Sequence, residues 1–92
     1  MDILEAWTRA IQEGIVFDDD FTATQVAWCF KVLRLEKVED LASVGVDDLL
    51  LANHMTLRGV IAMFLFAQAH DIKIVRGFKK FPERTIPWSV GE

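Results

Sequence analysis

The sequence contains one cysteine and no tyrosine, and it has no recognisable export signal. Cys29 stands alone, so the chain cannot form an intrachain disulfide, which is typical of a reducing compartment. The N-terminal residues MDILEAWTRA carry acids where a secretory signal carries basic residues, and they lack a small-residue cleavage site. These absences predict a cytoplasmic protein in which Cys29 is a buried structural thiol.

Motifs for catalysis and for cofactor binding are also missing. The chain has no glycine-rich phosphate loop, no paired cysteines or histidines, and no serine in a nucleophile elbow. The acids at 18–20 lack the alternating donors, central glycine and terminal glutamate of a calcium loop. His54 and His70 have no partner at ligand spacing. We therefore expect no enzymatic activity, no cofactor and no metal site.

A hydrophobic run of membrane-spanning length is absent too. The longest apolar stretch, Leu57–Ala69, has 13 residues, whereas a helix that crosses a bilayer needs about 20. Large apolar groups lie on nearly every face of its helical wheel, so it predicts a helix that is covered all round, either in the middle of a bundle or at an interface. The apolar share of the 92 residues is 52%, which is high for a soluble domain. We expect an all-α bundle of about five helices around Leu57–Ala69, capped at Thr56.

Helix one is predicted over 3–13. Asp2 and Glu5 have the spacing of a capping box, and Gly14 is placed to end the helix in a left-handed conformation. Trp7 lies on the apolar stripe, so we expect it in the core.

Helix two is predicted over 23–34 and is amphipathic. Thr22 and Gln25 have capping-box spacing, with Thr24 as a competing cap. The apolar side would carry Val26, Phe30 and Leu33, broadened by Ala27, Trp28 and Cys29. A basic stripe of Lys31, Arg34 and Lys37 would occupy the opposite face, where it is either solvated or available to phosphate groups.

Two short helices are predicted around a turn at Gly45, the first ending near Ser43 and the second capped by Asp47 or Asp48. The string DLASVGV at 40–46 resembles the "D-L-x-x-L-G-I" step of sterile alpha motif domains, which are five-helix interaction modules, and is similar to the hairpin of helix-hairpin-helix DNA-binding domains. The sequence departs from both patterns. The glycine and basic residue that open the last helix of the first family come about ten residues later, and the second glycine of the hairpin is missing. The resemblance supports two short helices around a glycine turn, without assigning a family.

The C-terminal residues change in character. Residues 72–76 show a brief alternating, strand-like pattern, and Gly77, Pro82 and Pro87 exclude a long helix after it. We therefore divide the chain into a helical domain at 1–76 and an irregular basic and aromatic tail at 77–92. The tail either folds back on the domain, which we expect for Phe78 and Phe81, or docks on another chain, which we expect for Ile86, Pro87 and Trp88.

The net charge of −4 is unevenly distributed. Residues 1–70 have five basic and eleven acidic groups, giving −6, and residues 71–92 have five basic and three acidic groups, giving +2.

The first functional hypothesis is a protein–protein interaction module that self-associates or docks on a larger protein. The second is an acidic inhibitor or mimic that occupies a basic site, and the third is a nucleic-acid-associated regulator. The predicted partner-binding residues are Phe17, Asp18, Asp19, Asp20, Phe21, Phe78, Lys79, Lys80, Phe81, Arg84, Ile86 and Trp88.

Overall fold

The structure, a computed structural model, describes residues 1–53 and 56–80, with the side chains of 52 and 53 left aside. Its helices are α1 (Ile3–Gln12), α2 (Asp20–Val32), a 3₁₀ helix (Val38–Ser43), α3 (Val46–Asn53) and α4 (Leu57–Ala69). The predicted all-α bundle of about five helices is confirmed, and the bounds of the central helix are those expected. Within the described residues, no helix combines the length and the apolar character needed to cross a membrane.

The helix starts follow local capping chemistry. The Asp2 carboxylate accepts from the backbone N–H groups of Leu4 and Glu5 at 2.9 and 3.1 Å, and the Thr56 hydroxyl accepts from Gly59 N–H at 3.2 Å. Both caps were predicted.

The predicted capping box of helix two is wrong. Asp19 is the N-cap, because its carboxylate accepts from Thr22 N–H at 2.9 Å and α2 begins at Asp20. Thr22 is consequently a buried residue of the first turn. The Gln25 side-chain oxygen accepts instead from the N–H and the hydroxyl of Thr56, which joins α2 to the start of α4.

Three helices end in the same way, with a left-handed residue that lets the chain reverse. Gly14, Arg34 and Asp71 follow the ends of α1, α2 and α4 with φ of 74°, 57° and 58°. In each case the backbone N–H of the next residue bonds back to the helix, for example Leu35 N–H to the Phe30 carbonyl oxygen at 2.8 Å, which is the Schellman arrangement.

Because α2 ends at Val32, the predicted helical stripe of Lys31, Arg34 and Lys37 is wrong. The second and third of these residues lie beyond the helix.

The core is organised around three aromatic rings. Phe66 of α4 lies 5.3 Å from Trp7 of α1 and 5.9 Å from Phe30 of α2, measured between ring centroids. The rings of Trp7 and Phe30 meet edge to face with their centroids 5.9 Å apart, an arrangement that the quadrupoles of the two rings favour. All three rings are buried, as predicted for Trp7.

Cys29, the residue before Phe30, is also buried. Burial raises the pKa of its thiol to about 12, so the thiol stays protonated and unreactive at neutral pH, as predicted for a structural cysteine.

The segment after α4 returns to the start of α3. Its strand-like pattern yields one isolated parallel bridge, between Val75 and Gly45. Val46 N–H donates to Val75 oxygen at 2.8 Å and Asp47 N–H to Gly77 oxygen at 3.2 Å, so the free N–H groups of the helix start are used by this segment. A side chain at Gly45 would collide with the Gly77 carbonyl. The glycine turn thus lets two backbones lie in contact.

Asp48 joins this segment to the bundle from inside. Its side chain is fully buried, and one carboxylate oxygen accepts from the N–H groups of Gly45, Lys79 and Lys80 at 2.8, 2.8 and 2.7 Å. Hydrogen bonds to a charged acceptor are stronger than neutral ones. Because α3 begins at Val46, the predicted N-cap at Asp47 or Asp48 is wrong, and Asp48 instead bonds back to Gly45 from the third residue of the helix. Its link to residues 79 and 80 was not foreseen.

The described residues do not cover the central helix α4 on all sides. Its buried residues are Gly59, Val60, Ala62, Met63, Phe66 and Ala67. On another side of the helix, Leu57, Ile61 and Phe64 keep 76%, 39% and 38% of their surface exposed. The bundle is therefore apolar beyond its core.

Candidate interaction site

The acidic run at 18–20 is divided among different roles. Asp18 is exposed and, among the described residues, has no hydrogen bond or ion pair. Asp19 caps α2, and Asp20 is the exposed first residue of that helix. Of the two flanking rings, Phe17 is half-buried against the core, whereas Phe21 is 67% exposed. The run is therefore not one continuous acidic surface.

Asp19 is the centre of a junction between α2 and α4. The Arg58 guanidinium donates to its carboxylate at 2.9 Å and lies 4.0 Å from the centroid of the Phe17 ring. The Thr22 hydroxyl and backbone N–H, followed by the Arg58 guanidinium, lower the pKa of Asp19 to about 2. Of the two Thr22 groups, the backbone N–H makes the hydrogen bond of standard geometry. This carboxylate is occupied within the domain.

The junction predicts a specific dependence of stability on pH. An unfolded aspartate titrates near 3.9, so the stability that Asp19 adds is fully present above that pH and is lost as the pH falls toward 2. We expect the free energy of unfolding of the wild type to exceed that of Asp19→Asn at pH 6, and the difference to shrink between pH 5 and 2. Urea titrations at several pH values measure it. Asp18→Asn is the matched control, and a difference that stays constant with pH would contradict the assignment.

Of the predicted tail residues, the structure describes Phe78, Lys79 and Lys80. Phe78 is half-buried, and the backbones of Lys79 and Lys80 are bound by Asp48. The Lys79 ammonium donates to the Ala42 carbonyl oxygen at 2.7 Å, near the end of the 3₁₀ helix. Folding back is thus observed for residues 77–80, including the expected Phe78. The predicted residues Phe81, Arg84, Ile86 and Trp88 lie outside the described residues.

A second apolar stripe runs along the outer face of α2. Phe21, Trp28 and Val32 are 67%, 51% and 40% exposed. Steps of seven and four residues place them on one side of a helix. We call Phe21, Trp28 and Val32 the α2 patch.

The α2 patch has charge of opposite sign at its two ends. Asp20 opens the helix, and Lys31 lies in its last turn; both are exposed. Eleven residues separate them, which is about three helical turns, so both lie along the same edge of the patch. The Lys31 ammonium is 4.9 Å from the centroid of the Trp28 ring, a cation–π distance that places it beside the apolar surface. The patch is therefore bipolar along the helix axis.

The predicted site includes Phe21 but lacks Trp28 and Val32. The sequence places Trp28 on the core side of helix two, with Cys29 and Phe30, whereas the structure leaves it half exposed. The neglected signal is that α2 carries two apolar stripes, the buried one at 26, 30 and 33 and the exposed one at 21, 28 and 32. A helix with two such stripes has apolar surface for two neighbours.

Two further observations concern the described part of the chain. No group of three or more potential metal ligands is found among those residues. A shallow cleft of about 690 Å³ lies beside Phe64 and is lined by Asp47, Lys73 and Val75 among others. No protein-family model matches the chain, and neither a curated protein nor a solved structure is significantly similar to it.

Proposed function

We propose that this protein is a non-catalytic protein–protein interaction module and that the α2 patch is its binding surface. The observation that carries the proposal is the exposure of Phe21 and Trp28, two large aromatic side chains on one side of α2. Aromatic side chains are enriched in the centres of protein interfaces, where they supply much of the binding energy. Single exposed apolar residues are ordinary on protein surfaces, but a group along one helix face has more weight.

The adjoining charges support a surface of this kind. An interface combines an apolar centre with a polar rim, and Asp20 and Lys31 supply such a rim beside Phe21 and Trp28. The acidic-mimic hypothesis has less support, because Asp19 is paired with Arg58 and only two carboxylates of the run are left for a basic partner. The exposed edge of α2 favours apolar contact over charge alone.

Site-specific photo-crosslinking in the cells that produce the protein tests the proposal. A photoreactive phenylalanine analogue at Trp28 should give discrete covalent adducts, and the same analogue at the exposed Thr8 of α1 should not. Each adduct partner is then purified and titrated against the wild type and Phe21→Ser/Trp28→Ser. We expect the double variant to bind at least about 100-fold more weakly, as for loss of two central aromatic contacts. The proposal is wrong if position 28 gives no discrete adduct or if the double variant binds normally.

A further inference from the structure

We infer that the partner of the α2 patch is a second copy of this chain, bound through an antiparallel pair of α2 helices related by a two-fold axis. This inference rests on the proposed function and names the partner of the same surface. A two-fold interface is self-complementary, because each surface patch meets its own copy. The distribution of charge and apolar groups along α2 satisfies that condition.

The charges meet their opposites when two α2 helices run antiparallel. A two-fold axis that crosses the pair keeps the same edge of both helices together and reverses their direction. Asp20 of each copy then lies opposite Lys31 of the other, since both residues share one edge of the patch. A parallel two-fold pair would put the charged edges of the two helices on opposite sides of the interface, where Asp20 could not meet Lys31. Beyond the helix, the exposed Asp18 and Arg34 continue the same polarity.

The apolar groups match in the same register. Asp20 with Lys31 and Phe21 with Val32 are both eleven residues apart, so the axis that pairs the charges brings Phe21 to within two residues, about 3 Å along the helix, of Val32 in the other copy. Trp28 lies close to the axis, where it meets its counterpart. The antiparallel pair also aligns the two helix dipoles favourably.

The dimension of the patch sets the expected strength. The 13 residues of α2 extend about 20 Å, so the contact is smaller than the roughly 800 Å² per partner of a stable complex. We therefore expect a dimer that dissociates in the micromolar range.

Exchange of the two charges tests both the partner and the direction of packing. Sedimentation equilibrium is run from about 10 μM to 1 mM at low ionic strength, where the Debye length is about 30 Å. The variants are Asp20→Lys, Lys31→Glu, their 1:1 mixture, and the double variant. Far-ultraviolet circular dichroism checks that each is folded. The matched apolar control is Ile61→Ser/Phe64→Ser, on the other exposed face.

The expected result is a wild-type dimer, with each single variant at least about 10-fold weaker because two attractive pairs become two repulsive ones. The mixture of the two single variants should recover wild-type affinity within about 3-fold, because a positive edge then meets a negative edge. The double variant should recover it in the same way. The Ile61→Ser/Phe64→Ser control should dimerise normally.

Four outcomes would overturn the inference. They are a monomeric wild type at 1 mM, single variants that dimerise like the wild type, a mixture that fails to recover, and loss of the dimer in the Ile61→Ser/Phe64→Ser control alone. In the first case, a specific crosslink from position 28 to a different protein would leave the proposed function standing with another partner. Loss of the dimer in the Ile61→Ser/Phe64→Ser control alone would assign self-association to the α4 face and reject the α2 pair.

Discussion

Replacement of Asp48 by alanine is expected to lower the free energy of unfolding by about 3 kcal/mol. The substitution removes the one oxygen that accepts from Gly45, Lys79 and Lys80 and leaves the Gly45 N–H without this acceptor in the interior. An unsatisfied buried donor costs about 1–3 kcal/mol, and hydrogen bonds to a charged group add about 1.5–3 kcal/mol each. Release of residues 79 and 80 into water recovers part of that loss. The total stability of a domain is only about 5–15 kcal/mol, so the variant is marginal.

The neighbouring aspartate provides the control for this experiment. Asp47 lies one residue earlier in the first turn of α3 and is half-buried, so Asp47→Ala should cost only the dipole contribution of about 0.3–1 kcal/mol. Urea denaturation compares the two variants. Amide hydrogen exchange adds a local signal, since protection should fall first at Gly45, Lys79 and Lys80 in Asp48→Ala. Equal urea midpoints for the two alanine variants would contradict the role given to Asp48.

Phe66→Ala is the second substitution with a large expected effect, a loss of about 3–5 kcal/mol in the free energy of unfolding. Phe66 is fully buried and is in ring contact with Trp7, Phe30 and His70. Its truncation leaves a cavity where α1, α2 and α4 meet, and rigid helices close such a cavity only in part. The measurement is again denaturant unfolding, followed by tryptophan fluorescence, to which Trp7 beside the cavity contributes together with the other two tryptophans.

Phe64→Ala separates the effect of position from that of residue type. Phe64 is on the same helix two residues earlier, but it is 38% exposed. Its truncation removes less buried surface and leaves no enclosed cavity, so we expect a cost of about 1 kcal/mol. If the two alanine variants lost equal stability, the aromatic cluster would not be the centre of the core.

The sequence predicted the features that depend on neighbours in the chain. Patterns within one or two helical turns are enough to predict the helix end at Gly14, the caps at Asp2 and Thr56, and the bounds of α4. Helix two was misplaced because Asp19 and Thr22 both had capping chemistry. The structure caps the helix through Asp19, which accepts from the N–H of Thr22 three residues later. Arg58, which lies 39 residues away, pairs with the same carboxylate, and no local pattern predicts that contact.

The candidate site was harder to predict for the same reason. In the sequence, an apolar helical residue that packs in the core looks the same as one that binds a partner. Phe30 is buried and Trp28 is half exposed, and only the tertiary packing shows this difference. Asp48 was expected as a cap on general grounds. Its bonds to Lys79 and Lys80 span 31 and 32 residues, and no periodicity in the sequence records them. The division of the chain at residue 76 and the functional role of the α2 patch stay predictions.

The bonds made by Asp48 also bear on the order of events during synthesis. The start of α3 is completed by residues 79 and 80, so it stays open while the 32 residues after Asp48 are being added. At roughly 5–20 residues per second, that interval lasts about 2–6 seconds. Throughout this interval, the Asp48 carboxylate lacks the backbone N–H donors of Lys79 and Lys80. A newly made chain should therefore gain protease resistance in a late step, when residues 79 and 80 become free to reach Asp48.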